Sequence, residues 1–104
     1  MEPGHAIITV SGRLTLGREV EQLETLVTDL LEKAQKMVVF DMTALDYLDS
    51  SGIGTVVSCL TQVKKSGGDL RLAGVNPRLL RMFKMTGVDT LVTIYPTVAE
   101  AAAG

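Results

Sequence analysis

The feature that most constrains the fold is Met37-Val38-Val39-Phe40, an apolar run with no polar residue inside it. A strand with one solvated face alternates apolar and polar residues, whereas a strand covered on both faces does not. The run is too short for an ordinary helix and is β-branched at its centre. It predicts a strand of a parallel sheet, buried between or beneath helices. Further along, Ile53, Val56, Val57, Leu60 and Val63 recur at helical spacing. The stretch Tyr47-Leu48-Asp49-Ser50-Ser51-Gly52-Ile53-Gly54 leads into that helix and sets two hydroxyls at its N-terminus.

The same two periods organise the rest of the chain. Ala6-Ile7-Ile8-Thr9-Val10 reads as a strand, broken by Ser11-Gly12. Arg13 to Gly17 reads as a short extension or loop. Val20, Leu23, Leu26, Val27, Leu30, Leu31 and Ala34 predict a helix over 18–35 with acidic residues early, as the helix dipole prefers. Thr43 to Leu48 reads as a connection. The helix after the Ser-Ser pair runs over 51–66 and stops at Gly67-Gly68. Leu70 to Val75 is the next strand, and Asn76-Pro77 opens a helix over 77–86 that Gly87 ends. Leu91 to Tyr95 is the last strand, and Thr97-Val98-Ala99-Glu100 fits a capping box opening a helix over 97–103. Regular alternation of strand and helix predicts an α/β fold: one domain over 1–104, a four-stranded, mostly parallel sheet and about four helices.

Composition narrows the function classes. Lys and Arg number 10 against 12 Asp and Glu, a net charge of −2, with the charges spread along the chain. That argues against an electrostatic grip on nucleic acid and leaves no polybasic membrane patch. No run approaches the roughly 18 apolar residues of a membrane span, and the first residues do not read as a signal peptide. The expected location is cytoplasmic. One cysteine and one histidine are too few for an ordinary zinc site, so no metal and no cofactor are expected. Cys59 reads as a buried inert thiol and His5 as an exposed residue near the terminus.

The Asp-Ser-Ser-Gly stretch supports four readings. Ser and Asp are ordinary helix caps. A catalytic serine would need a base, and the Gly-x-Ser-x-Gly elbow is absent because Leu48 and Asp49 precede Ser50 and Ser51 by two. Gly52-Ile53-Gly54 resembles the start of a dinucleotide fingerprint, with Val57 at the third glycine position. Finally, a phosphate on a serine there would meet free N–H groups and the positive end of the helix dipole.

Taken together, four segments resemble the STAS domain family and, within it, the bacterial anti-sigma factor antagonists. They are Ser11-Gly12-Arg13-Leu14, Val39-Phe40-Asp41-Met42 followed by Tyr47 to Gly54, Lys65-Ser66-Gly67-Gly68-Asp69-Leu70, and Met85-Thr86-Gly87-Val88. The resemblance implies a non-enzymatic regulator that binds an anti-sigma factor, itself a serine kinase, and so releases a sigma factor. It implies that the kinase ends the interaction by phosphorylating Ser51, with Ser50 as the alternative acceptor, and that a PP2C-type phosphatase restores it. Asp49, Ser50, Gly52, Ile53 and Gly54 would then form part of the partner-facing surface. The alternative is a nucleotide- or anion-binding STAS module, or a stress-signalling scaffold component without sigma-factor control. The family usually has one strand more before Ala6–Val10. Its absence would expose a sheet edge suited to a weak homodimer. Thr15 stands where many members carry an aspartate in the first loop.

Overall fold

A computed structural model describes residues 5–103. The elements in order are β1 (Ala6–Thr9), β2 (Gly12–Leu14), α1 (Arg18–Glu32), β3 (Met37–Asp41), β4 (Leu45–Leu48), α2 (Ser50–Lys65), β5 (Asp69–Ala73), α3 (Pro77–Thr86), a 3-10 turn (Val88–Thr90), β6 (Thr93–Tyr95) and α4 (Val98–Ala103). Four strands form a sheet in the order β1-β3-β5-β6, with every neighbouring pair parallel. The expected four-stranded parallel sheet and four helices are all present.

The missing alternation in β3 has a direct cause. Val38 and Phe40 face a core shared with Val27 of α1, Val56 and Val63 of α2, and Phe83 of α3. Val39 faces the other way, packing with Ala73 and Ala101 of α4. Three helices therefore lie on one face of the sheet and a short helix on the other, and all three of these β3 side chains are fully buried. Val56, Leu60 and Val63 are buried as the spacing required. Cys59 is buried, and desolvation pushes its thiol up to about 12, which leaves it a poor nucleophile.

Sequence reading missed a second sheet. Gly12–Leu14, expected as a break followed by a short extension or loop, and Leu45–Leu48, expected as a connection, pair in parallel as β2 and β4. Strands of three and four residues are too short to show a period, and their pairing is non-local. What holds them is burial of Leu14, Leu45 and Leu48 in the main core. The last strand is also shorter than expected. Leu91 N–H and Val92 N–H donate to Val88 O at 2.9 and 3.2 Å, so these residues close the 3-10 turn before β6 begins.

On the α4 side, Arg71 donates to Asp69 Oδ2 at 3.1 Å and to Ala101 O at 2.7 Å. The second bond satisfies a carbonyl at the C-terminal end of α4. His5, expected to be exposed, is half-buried, with Nε2 3.2 Å from Arg71 Nη1. Among the described residues, β1 forms one edge of the sheet, with Ile7 and Thr9 exposed. The expectation of a missing family strand falls on residues 1–4, outside the described residues.

Phe40→Ala should cost about 3–5 kcal/mol, the usual range for emptying a packed aromatic site. Urea unfolding should show it as a lower midpoint with an unchanged slope.

Candidate functional site

The site is the start of α2, and its geometry begins with a glycine. Gly52 is buried, and a Cβ there would collide with the carbonyl oxygen of Leu14 and press on the Leu48 side chain. Only a residue without a side chain lets α2 approach the ends of β2 and β4 this closely. The neighbouring Asp49 N–H donates to the same Leu14 carbonyl at 3.3 Å.

Asp49 is the N-cap, in an extended conformation. Its Oδ1 accepts the Gly52 N–H at 2.9 Å, and its Oδ2 accepts the Leu16 N–H at 3.2 Å. One carboxylate thus joins the start of α2 to the loop between β2 and α1. The Gly52 N–H, then the Leu16 N–H, hold the Asp49 carboxyl below its ordinary value of 3.8, against a smaller opposing effect of desolvation. The helix begins at Ser50, one residue earlier than the spacing suggested, and both serines lie in its first turn. Ser50 is exposed and Ser51 half-buried.

The glycines of the motif differ. Gly52 is fixed by packing, whereas Gly54 is exposed, with open space for 4 Å around the point a Cβ would occupy. Gly52 therefore has a packing explanation that needs no ligand, whereas packing does not require a glycine at position 54. Ile53 is half-buried against the main core. The one histidine is not beside the serines: His5 lies against Arg71 on the opposite side of the sheet. Among the described residues, no cluster of three or more metal-ligating side chains is found.

Three features of this surface were not legible in the sequence. Leu16, beside Asp49, is 77% exposed. Arg13 stacks over the exposed Tyr47 ring, 4.7 Å from its centroid, because β2 and β4 put these two residues opposite each other. The Asp49–Leu16 bond spans 33 residues. Each depends on the β2–β4 pairing, a non-local contact that the brief polar-apolar alternation from Arg13 to Leu16 does not reveal.

A family model described as the STAS domain matches residues 2–101. The chain is 40% identical over 50 residues to an anti-sigma-B factor antagonist of Bacillus subtilis, covering 48% of this chain and 46% of that protein. It is 26% identical over 87 residues to the anti-sigma-B factor antagonist of Staphylococcus aureus, covering 84% and 80%. The chain thus spans about half the length of the Bacillus relative in the matched region. Among solved structures, the Thermotoga maritima protein TM1081 superposes with a TM-score of 0.83 at 26% identity, over 91% of this chain and 81% of that one. Two more share the fold. Phosphorylated SpoIIAA of Bacillus has a TM-score of 0.71 at 22% identity, over 91% and 85%. The STAS domain of a Vibrio cholerae SulP transporter has a TM-score of 0.81 at 18% identity, over 99% and 81%.

Two checks follow from the geometry. Gly52→Ala should destabilise by about 1–3 kcal/mol through overpacking, while Gly54→Ala should stabilise by about 0.5–1 kcal/mol through helix propensity. Equal effects in urea titrations would show the close approach at Leu14 to be wrong. The second check is pH. A depressed carboxylate pKa contributes stability that is complete above the ordinary 3.8 and is lost as pH falls through the folded-state value. The melting-temperature deficit of Asp49→Ala should therefore narrow as pH is taken below 3.8. A deficit independent of pH would mean the ionised form is not what anchors the loop.

Proposed function

Because the chain belongs to the STAS domain family, we propose that it is an anti-sigma factor antagonist switched off by serine phosphorylation at the start of α2. The observation that carries this reading is the pair Ser50 and Ser51 in the first turn of a helix whose N-cap, Asp49, is bonded on both sides. The intact Asp49-Ser50-Ser51-Gly52 favours it over a transporter-type STAS domain, which shares the fold alone. The proposed partner is an anti-sigma factor that is also a serine kinase, with a PP2C-type phosphatase reversing the modification in the cytoplasm. Ser51 is the proposed acceptor and Ser50 the alternative. Asp49, Ser50, Gly52, Ile53 and Gly54 belong to the proposed contact surface. Weak self-association would use the β1 edge, where the exposed Ile7 and Thr9 carry no charge to oppose strand pairing.

The physics of the position favours a rigid switch. A phosphoserine adds about −1.5 to −2 charges at neutral pH. Free N–H groups and the dipole at the helix N-terminus offset this by up to about 2 kcal/mol. Asp46 and Asp49 act against it, at about 1 kcal/mol or less for surface charges. These opposing effects are similar in size, so the fold should survive unmoved. That the SpoIIAA fold is seen in a phosphorylated form supports this expectation. Exclusion of the partner then occurs at the contact, where a new dianion without a matching cation costs several kcal/mol.

Incubation with the kinase-type anti-sigma factor encoded nearest to this chain, and ATP, should add about 80 Da, one phosphate. Peptide mapping should put the phosphate on Ser51, and Ser51→Ala should abolish the gain while keeping the partner bound. Affinity for that partner should fall at least about a hundredfold on phosphorylation, ~2.7 kcal/mol, with amide shifts confined to the first turn of α2. A phosphate outside residues 50–51, unchanged affinity or a rearranged α2 would each count against the proposal.

A further inference from the structure

The three helices on the main-core face differ sharply in charge. α1 carries Glu19, Glu21, Glu24, Asp29 and Glu32 against Arg18 alone. All except Glu24 are exposed. α3 carries Arg78, Arg81 and Lys84, all exposed, and no carboxylate. At 3.6 residues per turn these three cations occupy an arc of about 120°. Met85 lies within that arc and is 79% exposed. Among the described residues, no carboxylate lies within salt-bridge distance of Arg78, Arg81 or Lys84.

The middle helix separates the two flanks. α1 and α2 pack directly, while α3 packs on the 3-10 turn, which in turn adjoins β6 at the far edge of the sheet. The outward face of α2 shows Ser50, Gly54 and Thr61, which are exposed, and Val57, which is half-buried. It then ends in Lys64 and Lys65. Beside it runs an open groove of about 550 Å³ with Val57, Leu60 and the half-exposed Leu91 on its walls and Thr61, Lys64, Lys65 and Thr90 around them. Opposing charges lie among them: Arg13 lines the same concavity as Glu19, and Lys65 the same one as Glu32. Asp69 meets Lys64 at 3.9 Å, and Asp89 lines the same concavity as Lys84. Lys33 follows the C-terminal end of α1.

We propose that this helical layer is a docking platform with built-in polarity. It fits a protein partner whose contact surface is cationic where it meets α1, apolar over the Val57–Leu60–Leu91 groove, and anionic where it meets α3. The inference rests on the reading of the α2 start as a partner-facing switch and adds the direction in which that partner lies across it. Charge complementarity selects the occupant. A nucleic acid or an anionic membrane offers one sign of charge and would be repelled by the α1 flank. Two flanks of opposite sign instead reward a single orientation and penalise the reversed one, where like charges meet. The reacting hydroxyl of Ser51 would then be presented to the kinase in one pose.

The test uses the full chain and the kinase-type anti-sigma factor encoded nearest to it. Two charge-reversed variants are compared with wild type: Arg78→Glu/Arg81→Glu/Lys84→Glu on α3, and Glu21→Lys/Asp29→Lys/Glu32→Lys on α1. Each should slow association about tenfold or more at low ionic strength, and high salt should shrink the difference. The kcat/KM for phosphorylation at low salt should fall in step. Glu100→Lys, on α4 across the sheet, should leave both unchanged. Circular dichroism confirms that each variant is folded.

Unchanged rates in either flank variant, or an equal loss in Glu100→Lys, would overturn the polarity. So would sedimentation showing that wild type forms a dimer which both reversals dissolve, since the occupant would then be a second copy. Flank-sensitive association without phosphate on Ser51 would sink the switch and leave the polarity standing. Flank-insensitive association with Ser51 phosphorylated would do the reverse. Absence of any association would overturn both.

Discussion

The close approach of Gly52 to the carbonyl of Leu14 is the contact on which the start of α2, the proposed contact surface, depends. It lets the first turn of α2 rest on the ends of β2 and β4, where any side chain would hold it off. Asp49 then uses both carboxylate oxygens, one for the helix it caps and one for the Leu16 amide in the loop before α1. Two loops distant in sequence are thereby held at one spot. The serines between Asp49 and Gly52 inherit a fixed position without making the restraining bonds themselves. Neither hydroxyl takes part in the bonds that hold the helix start.

The sheet supplies the rigid background. β3 is buried on both faces, with the larger helical layer covering Val38 and Phe40 and α4 covering Val39. A packed interior of this kind resists gradual deformation. The chain's other reactive side chain is withdrawn from solvent: the Cys59 thiol is buried and shifted far from the range in which it would ionise.

Fold and function are separable in this family. The same arrangement of strands and helices occurs in a regulator of Bacillus and in a domain of a Vibrio transporter. The sheet and its helices therefore carry no information about the partner. The features of this chain that a partner could read are local: the Asp-Ser-Ser-Gly start of α2, the Leu16 side chain beside it, the Arg13–Tyr47 stack, and the contrast between an acidic α1 and a basic α3. These surfaces can vary without disturbing the buried clusters.

The sequence by itself determined the parallel sheet and its helices, because burial on two faces removes alternation from β3 and a one-sided helix imposes a period of about 3.6. It also marked the Asp49–Gly54 stretch, since capping residues and glycine before an apolar period signal a helix start. Helix ends came within a few residues, and His5 and the length of the last strand were misjudged because neither has a period to read. The tertiary structure alone decided the β2–β4 sheet, whose strands are shorter than the pattern that would reveal them. It also decided what the motif residues do. Asp49 reaches Leu16 and Gly52 meets Leu14 across some thirty residues or more, and contacts at such separation are set by how the chain packs, not by the order of its neighbours.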